Sequence, residues 1–233
     1  MDIVFYIDIE GFSASFNQQG KQSMISLSND IWTLVSKKFE YITAYQFGGD
    51  GFLIKTVGPF VNQRIQLTNL AITLLQSVLL RGGIARVQMS QGTMADIHSC
   101  YSDEIKKNFQ TIVEKSVNFN YSATANHSIL TLNPIIGTGI INAYKLKGRP
   151  GPLFILDSDI MDQFQNDFDQ FPIKRRKINW ELGWLRFNSI EIEDNLKLLG
   201  LDTSTLGLTL TQYIIQNKLK SSWVRNSKSL FYY

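Results

Sequence analysis

The sequence predicts a mixed α/β domain of the α+β kind, built in the ferredoxin-like order β-α-β-β-α-β. Three observations predict it. Residues 2–9 (Asp2-Ile3-Val4-Phe5-Tyr6-Ile7-Asp8-Ile9) are apolar at nearly every position, as a strand buried on both faces requires. The apolar runs at about 41–47 and 52–57 flank Gly48-Gly49-Asp50-Gly51, a tight turn rich in residues that accept positive φ, and so read as a β-hairpin. Apolar positions recur at helical spacing before and after that hairpin. Met24, Ile25, Ile31, Trp32, Leu34 and Val35 mark about 21–38; Ile65, Leu70, Leu74, Leu75 and Val78 mark about 61–80.

Taken in order, the first strand ends in a carboxylate, Asp8, before Glu10-Gly11-Phe12-Ser13 opens a turn. Ser28 or Asn29 is placed to cap the later half of the first helix, and Pro59 precedes the second. Residues 80–89 (Leu80 to Met89) have early glycines and then alternate, which closes the β-α-β-β-α-β set with a strand. Ser102 followed by Asp103 and Glu104 signals a helix over 101–117 carrying Ile105, Phe109, Ile112 and Val113. Residues 118–136 turn from polar to apolar, an insertion or an arm feeding a strand near 128–132. Gly137 to Lys147 is a glycine-rich turn into a short helix stopped by Gly148 and Pro150. A strand at Leu153 to Leu156, a short helix at Asp157 to Phe164, a strand-like stretch from Trp180 to Ile192 and a closing helix from Ser204 to Leu219 follow. Lys174-Arg175-Arg176-Lys177 reads as a solvated basic loop. With no repeat, low-complexity tract or linker, residues 1–233 form one domain.

The 233 residues suffice for one large core. A hydrophobic content of 44% with 18% charged residues is that of a globular protein. A net charge of +3 argues for neither nucleic acid nor a membrane surface as partner. No apolar run reaches the roughly 18–20 residues of a membrane span, and the first residues lack the basic-then-apolar pattern of a signal peptide. The single cysteine, Cys100, excludes an intramolecular disulfide and fits a reducing, cytoplasmic setting.

Asp8 in an apolar strand is costly to bury unless it is paired or bound to metal. A strand-end Asp8 and a hairpin-tip Asp50 on neighbouring strands suit hard divalent cations, which take oxygen ligands and leave room for substrate phosphates. Taken alone, each also reads as a turn residue: Asp8 capping the turn at 10–13, Asp50 as half of a favoured Asp-Gly pair. Backbone N–H groups of the 10–13 turn can hold phosphate beside a metal. Arg81, Arg86, Lys145 and Lys147 are candidate phosphate contacts, Lys145 foremost because it lies on the helix after the glycine-rich turn. His98 and His127 are isolated, and neither a Ser/His/Asp set nor a Gly-Lys-Ser phosphate loop is present.

Tyr6-Ile7-Asp8-Ile9-Glu10-Gly11-Phe12-Ser13 resembles the first metal motif of class III nucleotide cyclases, Asp-Ile-x-Gly-Phe-Thr/Ser. Gly49-Asp50-Gly51-Phe52 falls where that family carries its second metal Asp. Arg81-Gly82-Gly83-Ile84 is similar to its Arg-x-Gly-Ile strand, and Gly137 to Leu146 to its Gly-x-x-x-Asn-x-Ala-x-Arg helix. The four matches occur in the family's order and span roughly residues 2–190. Departures are informative. Gln46, with Tyr45 beside it, stands where adenylate cyclases hold a base-reading Lys, and Pro134 stands where they hold the base-reading Asp. The transition-state Asn falls on Ile141, with Asn142 adjacent, and the transition-state Arg falls on Lys145.

Metal motifs without purine readers resemble the pyrimidine cyclases of bacterial Pycsar antiphage defence. That resemblance implies conversion of CTP or UTP to the 3′,5′-cyclic monophosphate and pyrophosphate by a homodimer with shared sites. It also implies a separate effector protein that senses the product. Asp8, Asp50 and the Ile9 carbonyl would hold two Mg²⁺ or Mn²⁺ ions, and Gly11, Phe12 and Ser13 the phosphates. Lys145 from the partner subunit would offset transition-state charge, while Tyr45, Gln46 and Arg86 would meet the base. Two alternatives remain at this point. One is a purine or diguanylate cyclase, the latter because Gly48-Gly49-Asp50-Gly51-Phe52 is superficially similar to a Gly-Gly-Asp/Glu-Glu-Phe signature. The other is an inactive nucleotide-binding homologue, given Ile141 and Pro134.

Overall fold

A computed structural model of the chain describes residues 2–10, 18–39, 42–47, 51–56, 63–96, 100, 102–104, 107, 135–146 and 151–229. Among these, seven strands form one sheet in the order β2-β3-β1-β4-β7-β9-β8. They are β1 (Asp2–Ile9), β2 (Ile42–Phe47), β3 (Gly51–Thr56), β4 (Ala85–Gly92), β7 (Phe154–Asp157), β8 (Ile173–Arg175) and β9 (Asn179–Leu182). A two-stranded sheet joins β5 (Ala95–Asp96) to β6 (Ile135–Ile136). The helices are α1 (Gln18–Lys37), α2 (Gln63–Leu80), α3 (Thr138–Lys145), α4 (Ser158–Phe164), α5 (Ile190–Leu198), α6 (Leu206–Gln216) and α7 (Ser221–Ser229). The predicted β-α-β-β-α-β order is present as β1-α1-β2-β3-α2-β4, and β1 is a direct neighbour of the hairpin strand β3.

The unbroken hydrophobicity of β1 has a physical cause: the strand is covered on both sides. Ile3, Phe5, Ile7 and Ile9 join Phe52, Ile54, Val87 and Met89 in the large core with Leu27, Ile31 and Leu34 of α1 and Leu67, Leu70 and Leu74 of α2. The alternate residues Val4 and Tyr6, with Leu53, form a second core under Ile140 and Ala143 of α3, closed by Met94 and Ile135. Each of these fully buried aliphatic side chains contributes about 1.5–3 kcal/mol relative to exposure. Helix α2 is buried along its length from Leu67 to Leu79, because α5 and α6 cover the side turned away from the sheet. Several of its polar donors and hydroxyls are bonded within the fold, although Asn69 Oδ1 and Gln76 Oε1 are buried without a partner. Gln76 Nε2 donates to the carbonyls of Trp184 and Phe187, both at 3.0 Å, and Asn195 of α5 donates to Thr73 Oγ1 at 3.3 Å.

Several sequence expectations differ from the structure. α1 runs unbroken through Ser28, whose hydroxyl bonds back to the Met24 carbonyl at 3.1 Å instead of capping a later half. The strand expected from Leu80 begins at Ala85; Arg81 to Ile84 form a turn in which Gly82 has φ 82°, and Arg81 pairs with Asp30 at 2.8 Å. The strand-like stretch from Trp180 to Ile192 is strand only to Leu182. Ser189 then caps α5, accepting from the Ile192 N–H at 3.3 Å. Nor is the basic cluster a loop: Lys174 and Arg175 lie in the edge strand β8, and Arg176 pairs with Glu181 of β9 at 2.8 Å. Residues 103, 104 and 107 are helical as expected. The remainder of that segment and the strand near 128–132 lie outside the described residues.

The approach of α3 to β4 depends on two glycines. A Cβ on Gly92 would collide with the backbone N and Cα of Gly139, and the Ser90 hydroxyl donates to the Gly139 carbonyl at 2.8 Å. Gly92→Ala is expected to cost about 1–3 kcal/mol by urea unfolding. An unchanged unfolding midpoint would show that α3 rides loosely on the sheet.

Candidate active site

The register of the central strands builds the site. Asp8 is directly opposite Gly51 of β3 and Arg86 of β4, and residues directly opposite in an antiparallel pair share a face. Asp8 therefore sits at the end of β1 on the face covered by α3, with Tyr6 and Val4 behind it. Gly51, the first residue of β3 and the residue that follows Asp50 in sequence, is therefore beside Asp8. Tyr6 donates its hydroxyl to Asp8 Oδ1 at 3.3 Å. Its ring lies where a Cβ of Gly51 would be, and tilts against Tyr144 of α3 with ring centroids 5.6 Å apart. Gly51 thus serves packing, since only a residue without a Cβ lets Tyr6 lie across β3 and reach Asp8.

The two proposed base contacts on β2 separate. Tyr45 is paired with Leu53 and packs with the core on the Asp8 face. Gln46 is paired with Phe52, and its amide reaches Met24 Sδ of α1 at 3.8 Å. Neighbouring strand residues point to opposite faces, which removes Gln46 from the side that carries Asp8. Arg86 does lie on the Asp8 face, but its guanidinium is engaged within the chain: Nη2 is 3.4 Å from Glu10 Oε1. The same Glu10 oxygen accepts from the Trp223 indole N–H at 2.8 Å. Trp223 lies on α7 and stacks against Tyr213 of α6 with centroids 6.0 Å apart. Burial, reinforced by the negative charge of Glu10, pushes the Tyr213 phenol above its ordinary value of 10.0.

On α3, Lys145 is exposed beside Tyr144 and Ile141, while the Asn142 amide donates to the Gln91 carbonyl at 3.0 Å and holds the helix to β4. Asn142 is therefore committed to the fold. Asp50, Gly11, Phe12, Ser13 and Pro134 lie outside the described residues. Among the described residues no three His, Cys, Asp or Glu side chains converge as a metal site would require. A cation at Asp8 would therefore need ligands from a backbone carbonyl or from Asp50. Sequence reasoning did not single out Tyr6, Glu10 or Trp223. Tyr6 was findable from its two-residue spacing to Asp8. Trp223, 213 positions from Glu10, carried no such signal.

Gly51→Ala is expected to displace the Tyr6 ring at a cost of about 1–3 kcal/mol, whereas Tyr6→Phe, which keeps the ring, should cost about 0.5–1.5 kcal/mol. Equal losses for both in chemical denaturation would contradict the packing described. The neutral Tyr213 phenol supports a stability fully present below pH about 10, lost as pH rises through its raised folded value. Tyr213→Phe should flatten that alkaline decline, measured as unfolding free energy against pH.

No family model matches the chain, and no curated protein matches its sequence. Solved structures do. The adenylyl cyclase CyaB from P. aeruginosa superposes with a TM-score of 0.50 at 11% identity, over 81% of this chain and 94% of that one. One bacterial light-regulated adenylyl cyclase structure gives a TM-score of 0.41 at 9% identity, over 91% of this chain and 97% of that one. Another gives 0.44 at 12% identity, over 90% of this chain, which spans 57% of the other. At these identities the likeness is one of fold. The seven-stranded sheet and its helices have the class III cyclase fold of CyaB.

Proposed function

We propose that the protein is a nucleotide cyclase acting on a pyrimidine nucleoside triphosphate, CTP or UTP, to form the 3′,5′-cyclic monophosphate and pyrophosphate. The observation that carries the reading is the pairing of Asp8 with Gly51, which sets the first metal motif against the start of the hairpin that bears Asp50. The shared fold with CyaB supports a cyclase. The pyrimidine assignment rests on Gln46 and Pro134 standing, by count along the chain, where adenylate cyclases carry purine readers.

Asp8, Asp50 and the Ile9 carbonyl offer oxygen only, a donor set for Mg²⁺ or Mn²⁺. Tyr6 O–H donates to one Asp8 oxygen and so helps orient the carboxylate. Two such ions, when bound, supply Lewis acidity at the triphosphate and lower the pKa of the ribose 3′-hydroxyl. The chain's part is positioning. Backbone N–H groups at Gly11, Phe12 and Ser13 cradle the phosphates. Tyr45, on the Asp8 face, meets the base. Lys145, exposed on α3, reaches the site of a second copy in a homodimer and offsets charge on the transferring phosphoryl group. The 3′-oxygen bonds to the α-phosphorus, the bond to the bridging oxygen breaks, pyrophosphate leaves and the hydroxyl proton passes to solvent. A separate effector that senses the cyclic pyrimidine nucleotide would place the reaction in antiphage defence.

Purified protein incubated separately with ATP, GTP, CTP and UTP plus Mn²⁺, with products identified by mass spectrometry, tests the reading. A cyclic pyrimidine monophosphate, absent from Asp8→Ala and Asp50→Ala, is the expected result. Cyclic AMP or cyclic GMP would overturn the pyrimidine assignment alone. A cyclic dinucleotide, or no product from any of the four, would overturn the proposed reaction.

A further inference from the structure

We infer that the outward side of α6, together with the cations that follow it, docks on an anionic lipid bilayer. The inference does not rest on the cyclase reading. Helix α6 has no charged residue, although one side of it meets water. Leu206 and Leu210 are buried in the large core, whereas Leu208 is 60% and Ile215 70% exposed. Positions 208 and 215 are two turns apart on one side of the helix, with the exposed Thr211 and Gln212 between them. A surface helix ordinarily carries charged residues on that side. Nor can the two aliphatic side chains turn inward. The inner side is occupied by Tyr213 and Ile214, packed on the core, and the Tyr213 ring meets Trp223 of α7.

The cations lie just beyond. Lys218, Lys220 and Arg225 are all exposed. Lys218 stands in the turn that ends α6, its N–H on the Ile215 carbonyl at 3.3 Å. Arg225 is two residues from the buried Trp223, which on a helix sets it on the side turned from the core. From Leu206 to Tyr233 the sequence holds four of the chain's 23 basic residues and none of its 20 acidic ones. The net charge of +3 is therefore concentrated in this segment, and the rest of the chain is nearly neutral.

The combination selects the partner. A nucleic acid would be drawn by the cations but has no use for Leu208 and Ile215 on an uncharged helix. A second copy, related by a two-fold axis, would set these cations against themselves. An anionic bilayer takes both features. Leu208 and Ile215 enter the boundary between headgroups and acyl chains, while the Lys and Arg stems lie along it with their charged ends among the headgroups. Each cation near such a surface adds about fivefold in affinity.

The test is co-sedimentation of the full chain with vesicles of phosphatidylcholine alone and of phosphatidylcholine mixed with phosphatidylserine, at low and high salt. Binding to the mixed vesicles alone, lost at high salt, is the expected result. Lys218→Glu combined with Lys220→Glu should weaken it by more than about tenfold. Leu208→Ser combined with Ile215→Ser, which leaves every charge in place, should weaken it about tenfold. The substituted side chains are exposed, so both variants should keep the wild-type melting temperature. No binding to the mixed vesicles, equal binding to neutral ones, or a serine variant that binds like wild type overturns the inference. A wild type that is dimeric without vesicles and made monomeric by the serine substitutions would assign the face to a second copy. Release from the vesicles by duplex DNA, with DNA binding unchanged in the serine variant, would assign the cations to nucleic acid. Either result also overturns the inference, and none of them touches the cyclase reading.

Discussion

The site depends on one strand being held from both sides. β1 pairs antiparallel with β3 over Val4 to Asp8 and with β4 over Asp2 to Ile9, and its side chains enter two separate cores. A slip of one residue in either register would exchange its faces, driving Tyr6 and Asp8 into the core that Phe5 and Ile7 now occupy. The hydrophobic pattern therefore secures more than stability. It decides that the carboxylate emerges at the end of the strand, on the α3 face, beside the residue that follows Asp50. Gly51 and Gly92 serve the same geometry. Each removes a Cβ where another group must lie close, the Tyr6 ring in one case and the α3 backbone in the other.

The C-terminal helices extend this arrangement. α5 and α6 cover the outer side of α2 and so explain why a helix with little amphipathic contrast is stable: Asn69, Thr73 and Gln76 each bond to a covering segment. α7 then turns back to the end of β1. Through Trp223 and Tyr213 it closes the large core next to Glu10. Residues far from Glu10 in sequence thereby become part of its surroundings.

How much was legible from the residues follows from how local each signal is. β1, the hairpin and the helices on either side of it were readable because apolar period and glycine-rich turns act within a few residues of each other. Asp8 was readable because a carboxylate in an apolar strand demands a reason. Gln46 was misplaced because a match counted along the chain carries no information about which face of a strand a residue occupies; alternation against Tyr45, whose partner Leu53 is core, would have supplied it. The strand-like stretch expected from Trp180 overran by reaching Ile192, because Ser189 caps a helix that already begins at Ile190. The Glu10–Trp223 bond was out of reach. It is a tertiary contact between single residues 213 positions apart, and no spacing announces it.

The exposed side of α3 gives the proposed second copy a physical expression. Ile141 is 51% and Tyr144 62% exposed, next to Lys145, and Ile136 is exposed on the strand just before the helix. The inner side of the same helix is fixed by Ile140, Ala143 and the Asn142–Gln91 bond, so its outward residues cannot turn in to bury themselves. In the proposed homodimer an apolar pair flanking a cation would suit the subunit boundary, where Ile141 and Tyr144 would lose water and Lys145 would point across. The resemblance expects Arg at this position. Lys brings a compact point charge in place of a planar fork, so it can offset phosphoryl charge from a range of angles but cannot grip two oxygens at once. A site completed by Lys145 would therefore rely more on its metal ions to offset that charge.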